Sequence, residues 1–339
     1  MHIVIAGGSG FLGRALSAAL LAGGHRVQIL TRRAPRPDAT ARVAVPPATT
    51  PDRRAEFVTW TPDGTLGPWA AACAGADVVI NLAGESIGTA RWTPARKAQL
   101  VESRMLATRS LVRFTTADVS TRSRNHRQEA HAGVETASSE VDQRPATFIS
   151  ASAIGFYGNS SDETLTEDAR AGSDFLASLA ASWEEEALRA RSGTTRVVLL
   201  RTGIVLDPDE GALQKMLLPF KFFAGGPFGS GRQYMSWLHR DDWVSLVLWT
   251  IDAPDVRGPV NLTAPHPVTN REFARALGRA LHRPALFPVP SFVLKLALGE
   301  MAQPLLLFSQ RVVPDRALKG GFRFAFETID AALGDLLGA

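Results

Sequence analysis

The sequence predicts an α/β protein: a doubly wound parallel sheet followed by a smaller, discontinuous lobe. Three observations carry this expectation. Short apolar runs rich in β-branched residues alternate with helical stretches as far as residue 205. The first run ends in a glycine cluster that opens a helix. After 205 the alternation gives way to loops with Gly and Pro and to further helices.

HIVIA at 2–6 is the first strand. Leu12, Ala15, Leu16, Ala19 and Leu20 then recur at helical spacing, and Gly23-Gly24 stops that helix. RVQIL at 26–30 is the second strand, and so short a βαβ unit requires a right-handed parallel crossover. EFVTW at 56–60 is the third strand, 66–75 a short helix and DVVINL at 77–82 the fourth strand. A helix over 94–116, a strand at 146–151, a helix over 174–192 and a strand at 196–200 complete a first domain, 1–205. Two stretches interrupt it: 34–55, rich in Pro, Ala, Thr and Arg, and a polar excursion at 118–145, expected to be exposed and mobile. His126 and His131 in that excursion are expected at a solvated surface rather than on a metal. The second domain, 206–339, is expected to be a mainly helical substrate-side lobe, with 242–262 packing back on the first. Here 242–252 and 269–282 are helices, the latter with Thr269 as its cap and Glu272 at the third position. Residues 259–262 are a short strand, and 291–337 is largely helical.

Of the 339 residues, 45% are hydrophobic and 21% charged, which excludes a disordered, fibrous or disulfide-stapled chain. Cys73 is the only cysteine, so no intrachain disulfide or Cys-rich metal site exists, and no metal centre is expected. The net charge of +4 is carried mainly by scattered arginines. It favours anionic ligands such as phosphates, while no dense stripe or reader motif points to nucleic acid. The opening MHIVIAGGSGFLG has no signal-peptide pattern. In PVPSFVLKLALGEMAQPLLLF at 288–308, Lys295, Glu300 and Pro304 break the apolar run below membrane-span quality. It reads as one or two amphipathic helices. That leaves a surface-lying helix open, but the expectation is a cytoplasmic monomer or homodimer without a membrane partner.

The glycine cluster carries the chemistry. Gly7, Gly10 and Gly13 form G-x-x-G-x-x-G directly between strand and helix. Gly7 and Gly10 let backbone approach a pyrophosphate, and Gly13 lets helix and sheet pack closely. The helix start, with Phe11 and Leu12, offers unpaired N–H groups to the phosphates. At the end of strand two, where a carboxylate would take the ribose 2′-OH of NAD, the chain has Thr31-Arg32-Arg33. Guanidinium groups there pair with a 2′-phosphate and stack on adenine, so NADP(H) is the expected cofactor, held by Arg32 and Arg33. Asp63 lies just past strand three, either near the adenine or as a turn residue before Gly64. Leu82, Ala83 and Gly84 follow strand four, where small residues admit the cofactor, with Glu85 next on the substrate side.

These features, together with VINLAGE at 79–85, RWTPARKAQLVESR at 91–104, ISASAIGFYG at 149–158, DFLASLAASWEEEA at 174–187, RTGIVL at 201–206, SWLHRDD at 236–242 and GEMAQPLLLFSQRVVPDRALKGGFRF at 299–324, resemble the extended short-chain dehydrogenase/reductase superfamily. Within it the chain is similar to the NAD-dependent epimerase/dehydratase-like family with its own C-terminal segment. The resemblance spans nearly the whole chain, and 118–145 looks like an insertion. It implies a Rossmann fold and hydride transfer assisted by a Ser/Thr, a Tyr and a Lys. The serine carries over to Ser152, with Ser150 second. The Tyr-x-x-x-Lys pair does not: its positions hold Leu179 and Trp183. Tyr157 in GFYG has Ser161 four residues on, and stands either as a substitute acid or as a packing residue. Glu184 and Glu185 are expected on a solvated helix face, and Lys97 in a surface ion pair. Arg201 either binds substrate or pairs structurally. Trp237, His239 and Asp242 match a block that usually anchors the lobe, with His239 a lesser candidate for the substrate side. Asn261 is expected to shape the cleft, and Arg311 to reach an anion or hold a turn. The implied function is an NADP(H)-binding oxidoreductase or epimerase-like enzyme acting on a small carbonyl or secondary-alcohol substrate. Reductase chemistry is favoured because no sugar-nucleotide diphosphate clamp is evident. The alternative is a catalytically silent NADP-binding sensor or scaffold.

Overall fold

The computed structural model describes residues 1–33, 54–117 and 144–338. The interruption at 34–55 and the excursion at 118–145, with His126 and His131, fall outside the described residues except at their edges.

Strands β1 (His2–Ala6), β2 (Arg26–Thr31), β3 (Glu56–Thr59), β4 (Val78–Asn81) and β5 (Thr147–Ala153) come first. Then follow β6 (Thr164–Leu165), β7 (Arg196–Thr202), β8 (Ile204–Leu206), β9 (Tyr234–Met235), β10 (Trp237–His239), β11 (Gly258–Leu262), β12 (Val268–Thr269) and β13 (Arg311–Val312). Seven of them form one sheet in the order β11-β7-β5-β4-β1-β2-β3, every pair parallel. The order reverses between β1 and β4, and open α/β sheets bind ligands in the crevice beyond such a switch. Register sets Leu30, Ala6, Asn81 and Ser150 side by side, the first three at the carboxyl ends of their strands.

Alternation along β1 builds both layers. Ile3 and Ile5 join one core, and Val4 and Ala6 the other, with Trp69 and Phe114. Among the described residues the helices are α1 (Phe11–Ala22), α2 (Trp69–Ala72), α3 (Pro94–Thr116), α4 (Phe175–Leu188), α5 (Gly211–Lys221), α6 (Arg240–Asp252), α7 (Asn270–Ala280), α8 (Ser291–Leu298), α9 (Asp315–Lys319) and α10 (Ile329–Leu337). Thr93 caps α3, with Pro94 at the first position, where its missing N–H costs nothing. Asp174 caps α4 through Leu176 N and Ala177 N. Thr269 and Glu272 close a full capping box on α7.

Two expectations change. The helix at 66–75 is a single turn, Trp69–Ala72. The tail is less helical than its composition suggests: α8, α9 and α10 are separated by short 3₁₀ and π turns and by β13, which pairs with β6. Gly299, at φ 66°, ends α8. Pro304 and Pro314 keep the tail from regaining one long helix.

Candidate active site

The glycine loop builds the floor. Gly7 sits at φ +81°, and a Cβ there would lie 2.7 Å from the Leu82 carbonyl carbon and oxygen. A Cβ on Gly13 would lie 2.3 Å from Gly7 O and 2.6 Å from Gly8 Cα. The loop therefore presses against both β4 and its own helix, and no larger side chain fits. Gly10 caps α1 without any side-chain bond. The amides of the first turn, at Phe11, Leu12 and Gly13, are free of a side-chain cap and sit at the positive end of the helix.

Two cavities meet over this loop, sharing Gly7, Gly10, Leu82, Gly84 and Glu85. The first, about 1110 Å³, is the more polar of the two. Thr31, Arg32 and Arg33 border it from β2, Ala83 from β4, and Arg96, Gln99 and Ser103 from α3. Arg32, 70% exposed, lies 3.6 Å from Glu85, and Arg96 lies 3.5 Å from the other carboxylate oxygen. Arg96 also donates to Ser86 O and Thr89 Oγ1, while its buried Nε has no partner. Pro62 lines this cavity, whereas Asp63 accepts from the Thr65 amide and hydroxyl in its own turn. Those bonds draw the Asp63 carboxyl below its usual range.

The second cavity, about 640 Å³, lies between sheet and lobe and is largely apolar. Phe11, Leu12 and Gly13 line one side. Ile87, Leu176, Met216, Leu305 and Leu306 line others. Its polar groups include Ser152 and Arg104. Leu179 and Trp183 face it at the positions where the superfamily pattern calls for Tyr and Lys. The Arg104 guanidinium stands 5.2 Å from the Trp183 ring and donates to the carbonyls of Leu100 and Glu85. Burial lowers its pKa to about 10. Trp183 Nε1 donates to Thr108 Oγ1, which also receives a bond from Asn81 Nδ2.

Behind Ser152 lies a buried relay of polar groups. Ser152 Oγ donates to Glu184 Oε1 at 2.6 Å. Arg201 grips the same carboxylate in bidentate fashion, Nε to Oε1 and Nη2 to Oε2, both at 2.8 Å. Its remaining Nη1 donates to Tyr157 Oη and Glu167 O, and it stacks 3.5 Å from the Phe156 ring centroid. Tyr157 Oη in turn donates to Asn261 Oδ1 at 2.7 Å. Burial pushes the Tyr157 phenol up.

The sequence candidates thus separate. Ser152 lines the cavity, while Ser150 Oγ lies 3.5 Å from Asn81 Nδ2 at the strand end. Arg201, Tyr157 and Asn261 lie behind the cavity, bonded to one another. Glu184 is not on a solvated face: it is 6% exposed, because α4 turns it toward β7 and Arg201 neutralises it. Glu185 is exposed, paired with Arg189. Lys97 pairs with Glu300. His239 is buried away from the cleft: Nδ1 accepts from Asp241 N at the start of α6, and the ring stacks on Phe326. Its Nε2 lies 3.2 Å from an Asp335 oxygen, outside hydrogen-bond geometry. Asp242 accepts from Ala325 N and Phe326 N, and Trp237 donates to His266 O. The block 236–242 therefore ties down the C-terminal segment. Arg311 stacks 5.0 Å from the Tyr234 ring. Sequence reasoning gave no role to Arg96 or Arg104. Both lie on the face of α3 that carries Leu100 and Ala107, so helical periodicity from those buried positions points to them.

A glycine-floored crevice at the switch point, with a lobe closing over its carboxyl end, defines a dinucleotide-fold protein of the dehydrogenase/epimerase class. The chain belongs to the NAD dependent epimerase/dehydratase family, whose model matches residues 3–262. A domain of unknown function, DUF1731, matches 289–336. It is 40% identical over 332 residues to the epimerase family protein ML0860 of Mycobacterium leprae, covering 98% of this chain and 94% of that one. It is 36% identical over 338 residues to YfhF of Bacillus subtilis, covering 99% and 98%. The crystal structure of human epimerase family protein SDR39U1 with NADPH aligns with a TM-score of 0.80 at 30% identity, covering 100% of this chain and 99% of that one.

Proposed function

We propose that the protein is an NADP(H)-dependent reductase, or epimerase-like enzyme, for an uncharged and largely apolar carbonyl or secondary-alcohol substrate of the cytoplasm. The carrying observation is the pairing of an arginine-edged polar cavity with an apolar one across a single glycine loop. The cradle fits a dinucleotide: Gly7 and Gly13 leave no room for a side chain, and the Arg96 Nε is a buried donor without a partner beside Glu85. Gly10, Phe11, Leu12 and Gly13 would hold the pyrophosphate, Leu82, Ala83 and Gly84 the ribose side, and Arg32 and Arg33 the 2′-phosphate. Asp63 is assigned to its turn. When bound, NADPH supplies a hydride to a carbonyl carbon.

The chain's own residues do the rest. Ser152 Oγ, its own proton given to Glu184, accepts from the hydroxyl of the alcohol form of the substrate, and Glu184 fixes its rotor. Arg104 supplies the positive charge that Trp183 cannot, in an apolar cavity where it acts strongly on a developing alkoxide, which then takes its proton from water. Arg201 and Tyr157 brace Glu184 rather than touch substrate. With both its donor and acceptor functions engaged and burial holding its proton, Tyr157 is assigned no acid role. His239 holds the lobe. The apolar lining argues for a substrate without a diphosphate. The chain needs no partner subunit in this scheme and works as a monomer or homodimer. Leu179 and Trp183 favour a second reading, a cofactor sensor without turnover. The two are separated by titrating NADPH fluorescence and then screening ketones and aldehydes for NADPH consumption. Consumption lost in Ser152→Ala and Arg104→Met supports the reductase, and binding without consumption across the panel supports the sensor.

A further inference from the structure

The lobe carries a surface that the proposed reaction does not use. Just past α5, Phe222 is 75% exposed and Phe223 stands beside it, and the approach to α8 presents Leu286, 74% exposed, and Phe287. These groups are neighbours. Phe287 N donates to Gly225 O at 3.1 Å, and the Arg283 guanidinium sits 4.4 Å from the Phe223 ring centroid. α8 adds Phe292 and, one turn on, Leu296 at 78% exposure. Large apolar side chains exposed together mark an interaction site, unlike the single exposed residues normal on any protein.

Cations flank this surface. Arg271, Arg275 and Arg279 recur every four residues on α7, so they share one face, and Arg283 follows just beyond. All four border one groove with Leu286. Asp330 pairs with Arg279, but among the described residues no carboxylate pairs with Arg271, Arg275 or Arg283. The Glu272 carboxylate is committed to Thr269. A second copy docked across a two-fold axis would set these arginines against one another. The same surface adjoins the apolar cavity: Met216 of α5 and Leu305, just after α8, line it. Lys215 of α5 donates to Gly88 O, and Arg91 donates to the α8 carbonyls of Leu296 and Ala297, so both helices border one loop.

We propose that this face docks the protein reversibly on an anionic lipid bilayer. The phenylalanines and leucines enter the headgroup boundary, and the arginines take lipid phosphates. Such docking needs no spanning helix, and among the described residues no helix is long and apolar enough to cross a membrane. It also sets the apolar cavity against a phase in which apolar carbonyl compounds collect.

The test is co-sedimentation of the full chain with vesicles of phosphatidylcholine, alone or with about 30 mol % phosphatidylglycerol. Partition to the anionic vesicles is expected. Phe222→Ser/Phe287→Ser and, separately, Arg275→Glu/Arg283→Glu should each weaken it roughly tenfold or more. All four positions are at the surface, and an unchanged circular dichroism melt confirms that the variants fold. Failure to sediment with anionic vesicles overturns the proposal. So does binding lost in the arginine variant but untouched by the serines, which would mark an electrostatic site such as an acidic protein uses. A solution dimer that the serine variant dissolves would assign the surface to self-association and overturn it as well.

Discussion

Replacing Glu184 by alanine tests the centre of the site. The Glu184 and Arg201 side chains are 7% and 5% exposed, and they share two bonds of 2.8 Å. Alanine removes the acceptor for Arg201 Nε, Arg201 Nη2 and Ser152 Oγ together. The guanidinium is then left buried against Phe156 with only Tyr157 Oη and Glu167 O as partners. Breaking one side of such a buried pair costs about 3–5 kcal/mol. For a chain of this size that lowers Tm by about 4–7 °C. Urea unfolding followed by tryptophan fluorescence measures the loss. Glu184→Gln/Arg201→Met, which removes both charges and keeps the volume, should recover more than half of it, since well-packed neutral replacements of buried pairs are often tolerated. Turnover should fall as well. Ser152 loses its fixed rotor in Glu184→Ala, and kcat should fall about tenfold or more at saturating NADPH. The glutamine of the double variant offers Ser152 an acceptor again and should restore part of that rate. A stability loss below about 1 kcal/mol would refute the buried-pair account. An unchanged kcat in Glu184→Ala would refute the positioning role of Glu184.

Other outcomes follow from the same geometry. Gly13→Ala sets a methyl 2.3 Å from Gly7 O, so the loop must shift and NADPH affinity, read by fluorescence titration, should fall at least about tenfold. Arg32→Ala should weaken NADP(H) by roughly tenfold or more while leaving NAD(H) nearly unchanged; equal losses would contradict a 2′-phosphate site. Tyr157→Phe should keep kcat within about twofold and cost about 1–3 kcal/mol in urea unfolding, because the bracing bonds to Asn261 and from Arg201 are both lost. Arg104, held at about 10 by burial, gives a pH signature. In the folded protein it sheds its proton before it does in the unfolded chain. Its contribution to stability is therefore gained as pH rises above about 10 and lost as pH falls back through 10, while turnover declines over the rise. Arg104→Met should flatten both the stability and the rate profile in that window.

The parts of the fold that depend on local pattern were legible. β1, α1 and β2 follow from apolar periodicity and glycine punctuation, and the Thr269–Glu272 box on α7 follows from spacing alone. The tail was less so, because its composition is helical while Gly299, Pro304 and Pro314 divide it. Glu184 shows the harder limit. Glu184, Glu185 and Glu186 are the same residue type in succession, yet their side chains are 7%, 77% and 4% exposed. Which of them is buried depends on where arginines from β7 and α3 arrive, Arg201 for Glu184 and Arg109 for Glu186. A sequence does not display that partner until the strand order is known.

The same limit explains why a motif scan of α4 finds an empty catalytic helix. A reductase site needs a hydrogen-bonding hydroxyl and a fixed positive charge near the reacting oxygen, and the superfamily pattern draws its charge from α4. In this chain α4 brings Leu179 and Trp183 to the cavity, and Arg104 comes to the face of Trp183 from α3. On the proposed reductase reading, the charge comes from the neighbouring helix. Because α3 and α4 pack side by side, with Thr108 of α3 bonding Trp183 of α4, the two helices act as one wall of the cavity. This wall predicts coupling between its members. Trp183→Lys, which restores the superfamily residue, should set a second cation beside Arg104 and lower stability, whereas Trp183→Lys with Arg104→Met should relieve it. A double-mutant cycle on urea midpoints measures that coupling, and additive single effects would show that the two positions do not share one charge site.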